Sequence, residues 1–99
     1  MPPLNPRSFQ VRKLLAIHNK QVMEDARKIL GRRPKTVLQA VAAVHQPQQA
    51  EAHFRGLGEI FFIRDSNVKG LKQADRTSYV EEYVAKMMAD YHAMREAKK

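Results

Sequence analysis

Between Pro6 and Gly31 the apolar residues Val11, Leu14, Leu15, Val22, Ala26 and Ile29 recur every three or four positions, apart from one longer gap. That spacing lines them along one stripe of a helix and leaves little room for another fold. The ends of the stretch are marked as sharply as its middle. Asn5-Pro6 sets a capping side chain before a proline suited to the first helical turn, and Gly31 with Pro34 behind it stops the helix. A helix over 6–30 is predicted, behind an extended arm over 1–5 in which Pro2 and Pro3 disfavour helix. His18 falls inside the stripe, as a core or interface residue. Asp25 falls at its edge, where a buried carboxylate needs a cation or donor from another element. Lys13, Lys20 and Arg27 follow at seven-residue spacing on the opposite face.

The punctuation continues. Thr36 to Val44 is apolar nearly all round, as in a central buried helix, and predicts a helix over 34–45 starting near Pro34 or Thr36. Pro47 opens a shorter helix over 48–55 that Gly56 and Gly58 stop. Glu59-Ile60-Phe61-Phe62-Ile63-Arg64 is short, β-branched and aromatic, and predicts a strand. A lone strand must pair, so a hairpin turning at Asp65-Ser66-Asn67 and returning to Leu71 is one solution, and a strand of another chain is the other. Val80, Val84, Met87, Tyr91 and Met94 then form a seam on a helix over 77–97, which Ser78 with Glu81 caps, or Thr77 or Asp75 in their place. The fold class predicted is mainly α: one four-helix domain over 1–99, with a short strand or hairpin over 59–71 between the third and fourth helices.

Charge sets the functional expectation. The net charge is +8, and it is unevenly placed. Residues 1–50 hold nine basic and two acidic side chains, and residues 51–99 hold nine and eight. The densest run is Arg27-Lys28, Arg32-Arg33 and Lys35, with no acid among them, across a helix end, a glycine turn and the start of the next helix. Guanidinium forks match phosphate oxygens, and a helix N-terminus adds free N–H groups. With Lys13 and Lys20 these residues make a nucleic-acid-binding set: Lys13, Lys20, Arg27, Lys28, Arg32, Arg33 and Lys35. The alternative is a solvated face that keeps the chain soluble. No aromatic residue interleaves with this run, so nothing there predicts stacking on unpaired bases.

Other chemistry finds no footing. The chain has no cysteine, and its four histidines match no ligand spacing, so neither metal nor cofactor is expected. Arg55-Gly56-Leu57-Gly58 lacks the third glycine and the lysine of a phosphate loop. No serine has a base placed by a motif, and no catalytic residue or small-molecule substrate is evident. No run approaches a membrane span. Phe61 and Phe62, which would face opposite ways on a strand, and Tyr83, Met87, Tyr91 and Met94 are candidates for a protein interface, the alternative for the helical four being an ordinary core seam.

The expected function is a non-enzymatic RNA-binding subunit of a ribonucleoprotein, the ribosome included, with RNA favoured over DNA and neighbouring proteins as further partners. Two alternatives stand beside it: an accessory or scaffold subunit of a protein assembly, and a winged-helix DNA regulator, whose helix–helix–helix–hairpin–helix order the predicted elements resemble. The location expected is intracellular, in the cytoplasm or an organellar matrix. The absence of acids before Glu24 is a feature that mitochondrial transit segments share.

Overall fold

The computed structural model describes residues 6–97, with side chains from Gln10 onward, so the predicted arm over 1–5 and Lys98-Lys99 lie outside the described residues. Four helices follow one another: α1 (Pro6–Leu30), α2 (Val37–Val44), α3 (Pro47–Lys69) and α4 (Arg76–Ala97), with a 3₁₀ turn at Gln73–Asp75 before α4. α1 has the bounds its spacing predicts, and α4 starts one residue early. The cap of α2 is Thr36, whose Oγ1 accepts from the Gln39 N–H at 3.0 Å. Ser78 lies inside α4 rather than capping it, and Asp75 closes the entry turn by accepting from the Lys72 N–H at 2.9 Å.

The middle of the chain differs from expectation. No strand occurs among the described residues. The helix predicted over 48–55, the stop at Gly56 and the strand or hairpin over 59–71 are replaced by α3, which runs unbroken from Pro47 to Lys69 and ends at Gly70 with φ of +68°. Gly56 and Gly58 are contact points. Two residues along a helix turn it about 200°, so the two glycines face nearly opposite ways. Gly56 meets the ring of His18 on α1, where a β-carbon would lie 2.7 Å from Nε2, and Gly58 meets Tyr83 and Val80 of α4. The β-prone run after them stays helical because α4 offers it burial. Ile60 and Phe62 are buried, Phe61 lies 5.4 Å from the Tyr83 ring and Phe62 lies 5.5 Å from the Tyr79 ring. Burial of this size overrides a weak strand preference.

α3 therefore lies between α1 and α4, whose backbones do not touch among the described residues, while α2 packs against all three. The result is a slab of 43 × 31 × 19 Å. Its core joins Val22 and Ala26 of α1, Ala40 and Val41 of α2, Ala50, Phe54 and Leu57 of α3, and Val80, Val84 and Tyr91 of α4. The end of α2 is held from α4: the His45 carbonyl accepts from the Tyr91 hydroxyl at 2.6 Å and from Arg95 Nη1 at 2.9 Å. Tyr79 of α4 donates to Asp65 of α3 at 2.6 Å. Burial, with that bond second, raises the Tyr79 hydroxyl to about 12.

Gly56→Ala gives a test of the α1–α3 contact. Alanine gains about 0.5–1 kcal/mol of helix propensity. In the native chain it displaces His18, at a cost of about 1 kcal/mol for a hydrogen bond and a similar amount for ring stacking. Gly56→Ala should therefore destabilise the native chain and stabilise a His18→Ala chain, as read by urea unfolding. The same sign in both backgrounds would show that His18 does not occupy the space beside Gly56.

Candidate nucleic-acid interface

The basic run is displayed by a short, well-anchored turn. α1 ends where Gly31 adopts φ of +73° and its N–H bonds the Arg27 carbonyl at 2.9 Å. Pro34 is buried and Thr36 caps α2, so the segment is tied at both ends and Arg32 and Arg33 project outward between them. All seven predicted cations are exposed. Lys20, Arg27, Arg32 and Arg33 line one open groove of about 1020 Å³ between α1 and the start of α2. Lys13 continues the line of Lys20 and Arg27 along α1 but lies outside the groove, as do Lys28 and Lys35.

The floor of that groove is apolar, formed by Leu15, Ala16, Met23 and Val37, with Asn19 beside them and one carboxylate, Glu24, among its walls. By spacing, Leu15 belongs to the helix stripe and Val37 to a helix expected to be buried. Both are half-buried, because α2 has only two turns and covers part of the α1 face. The signal available in the sequence was Met23, an apolar residue between the stripe and the cationic face.

The electrostatics separate the two halves of the chain. Arg55 pairs with Glu51 and Glu81, Arg64 and Lys69 with Asp65, and Arg76 with Glu59. The hydrogen bond from Tyr79 and then that from Arg64 hold the Asp65 carboxyl below its ordinary value, and Arg55 does the same for Glu81. Arg95 is engaged by Tyr91 and the His45 carbonyl. None of the seven predicted cations of α1, the turn and the α2 cap makes an ion pair or a side-chain hydrogen bond among the described residues. Asp25, at the edge of the stripe, accepts from Gln21 of its own helix at 2.9 Å rather than from another element.

The predicted protein-interface set faces mostly inward. Phe62 is 5% exposed and Tyr91 is 0%, which takes both out of the surface. Phe61, Tyr83 and Met87 are half-buried against the core, and Met94 is half-buried further along α4. The apolar side chains left exposed are others: Leu14, Ile17 and Ile29 on α1, and Ile63 and Val68 on α3.

Behind the basic face three histidines meet where α1 crosses α3. His18 and His53 stack with ring centroids 4.3 Å apart, and His45 lies 5.8 Å from His53. His18 Nε2–H donates to the His53 carbonyl at 2.9 Å and His53 Nε2–H to Asn19 Oδ1 at 2.8 Å. Burial, and then the charges of His18 and His45, lower His53 to about 4. Among the described residues no three histidine or carboxylate side chains converge on a position for a metal ion. No described helix is long and apolar enough to cross a membrane. No protein-family model, curated protein or solved structure matches the chain.

Proposed function

We propose that this chain is a non-enzymatic RNA-binding subunit of a ribonucleoprotein, docking on phosphates through Lys20, Arg27, Arg32 and Arg33. The observation that carries the reading is the division of ion pairs. Five of the second half's cations are occupied by the chain's own groups, while those of the groove are left to solvent. Cations kept free in one place neutralise a partner's repeated charge at small desolvation cost, and each phosphate met releases counterions. A groove rather than a projecting helix favours RNA over a DNA major groove. The winged-helix alternative loses its wing, since the hairpin it needs is part of α3. Ile17, Ile29 and Val68, each more than half exposed, support contact with neighbouring subunits.

Affinity for a structured RNA, followed by fluorescence anisotropy, should fall with salt at about 0.7–0.9 log units per phosphate contacted. Arg32→Ala with Arg33→Ala should flatten that slope by about 1.4–1.8 and weaken binding roughly 25- to 60-fold at about 0.1 M salt. An unchanged slope would overturn the assignment of these residues.

A further inference from the structure

We propose that the groove takes an unpaired strand: one base lies on the floor of Leu15, Met23 and Val37, Arg27, Arg32 and Arg33 hold the flanking phosphates, and Glu24 accepts from the amine edge of that base. This rests on the RNA-binding reading and narrows it.

Two features of the groove argue for it, and neither is needed to meet a duplex. The first is the apolar floor. A duplex keeps its base faces stacked inside and presents phosphates and 2′-hydroxyls, polar groups that would lose water against a concave apolar surface without gaining a partner there. An unpaired base has a free face that needs apolar cover, and a guanidinium plane can add to the stack. Leu15, Met23 and Val37 are half-buried and so held in place by the core beneath them, while the surface they show opens into the groove. Met is the adaptable member, able to follow bases of different shape.

The second feature is Glu24. It is the carboxylate among the residues lining the groove, and it makes no ion pair among the described residues. Against phosphates alone a carboxylate there is a repulsive element. Against a base it is an acceptor for the exocyclic amine of cytosine or adenine, or the N1–H and amine of guanine. Uracil offers one N–H between two carbonyl oxygens, so the same carboxylate meets acceptors and rejects it.

The test compares oligoadenylate, oligocytidylate and oligouridylate of about ten nucleotides with an RNA hairpin duplex of equal charge and with inorganic polyphosphate. The full chain should bind oligoadenylate and oligocytidylate about tenfold more tightly than the hairpin, the size of covering roughly 55 Å² of apolar floor at about 25 cal/mol per Å². Oligouridylate should fall below both, and Glu24→Gln should close that gap. Met23→Lys, checked for helicity by circular dichroism, should weaken the single strands and tighten the hairpin, because it trades floor for charge. The comparison among ligands needs no variant, so it holds even where a variant fails to fold. Hairpin binding as tight as or tighter than single-strand binding would overturn this inference and leave the RNA-binding reading standing. Failure to bind any of the RNAs, or polyphosphate bound as tightly as the oligonucleotides, would overturn the RNA-binding reading itself.

Discussion

Phe54→Ala should lower the unfolding free energy by about 3–5 kcal/mol, enough to leave a domain with a total of about 5–15 kcal/mol barely folded. The size follows from where α3 runs. It lies between α1 and α4 and also meets α2, and Phe54, with 0% exposure, sits in the same buried cluster as Val22 of α1, Val41 of α2 and Tyr91 of α4. Its ring meets Tyr91 edge-on at 6.4 Å, and Tyr91 in turn holds the end of α2 through the His45 carbonyl. Removing the ring opens a cavity at the junction and loosens a hydrogen-bonded anchor beside it. The neighbouring helices cannot close the gap, since each is fixed elsewhere. Phe54→Leu keeps most of the volume and should cost distinctly less. Val68→Ala, at a position 77% exposed near the end of the same helix, should stay within about 0.5 kcal/mol. Urea unfolding of the three variants checks this. Equal losses at positions 54 and 68 would contradict the placement of the core.

The contrast between those two positions also shows which parts of the molecule local rules can reach. α1 is legible because its stripe is long and both ends carry punctuation, and α4 because its seam persists from Val80 to Met94. α3 is not. Gly56 and Gly58 look like stops to any rule that weighs only neighbours along the chain, and a short β-branched and aromatic run after them looks like a strand. What makes them helical lies far off in sequence: His18, 38 residues before Gly56, and Tyr83, 25 residues after Gly58. The same distance hides the state of Phe62 and Tyr91. A methionine and aromatic seam reads alike whether it faces a core or a partner, and only the position of α3 against α4 decides it.

The candidate site divides in the same way. Density of charge marks Arg27 to Lys35, because a run without acids is visible in one dimension. Whether those cations are free is not visible, since it depends on where the chain's carboxylates fall. Here Glu51, Glu59, Asp65 and Glu81 sit on α3 and α4 and engage Arg55, Arg64, Lys69 and Arg76 of those helices. The floor of the groove is harder still to foresee. Leu15 and Val37 belong to apolar patterns that predict burial, and they stay partly open only because α2 ends after eight residues.

Stability should fall as pH is lowered from about 6.5 to about 4, by about 2–3 kcal/mol once solvent access to a half-buried ring is allowed for. The group responsible is His53, lowered from 6.5 to about 4 by burial and by the rings of His18 and His45. The sign follows from proton counts. Between those two values the unfolded chain binds a proton on this ring and the folded chain does not, so acid favours unfolding, and the contribution is fully present only above 6.5. The surroundings offer no relief. His53 faces His18 and Asn19 from α1 and His45 from the end of α2, while Arg95 and Tyr91 of α4 engage the His45 carbonyl. On α3 itself the nearest carboxylate, Glu51, is bound to Arg55. A proton on His53 therefore meets the rings of His18 and His45, and the bond to Asn19 is already made with the Nε2–H. Asp65 and Glu81, held below their ordinary values of 3.8 and 4.5, add a loss of the same sign that begins only at the acid end of this window, and the His53→Gln comparison separates it from the His53 effect. Urea unfolding at intervals between pH 7 and 4 should show the loss, and His53→Gln should flatten it whatever that change does to stability at neutral pH. A native chain whose stability is level across this range, or a His53→Gln chain that loses as much as the native one, would remove His53 as the cause. The His18–His53 stack is a main tie between α1 and α3, so the same proton should loosen the helix that carries Lys20 and Arg27.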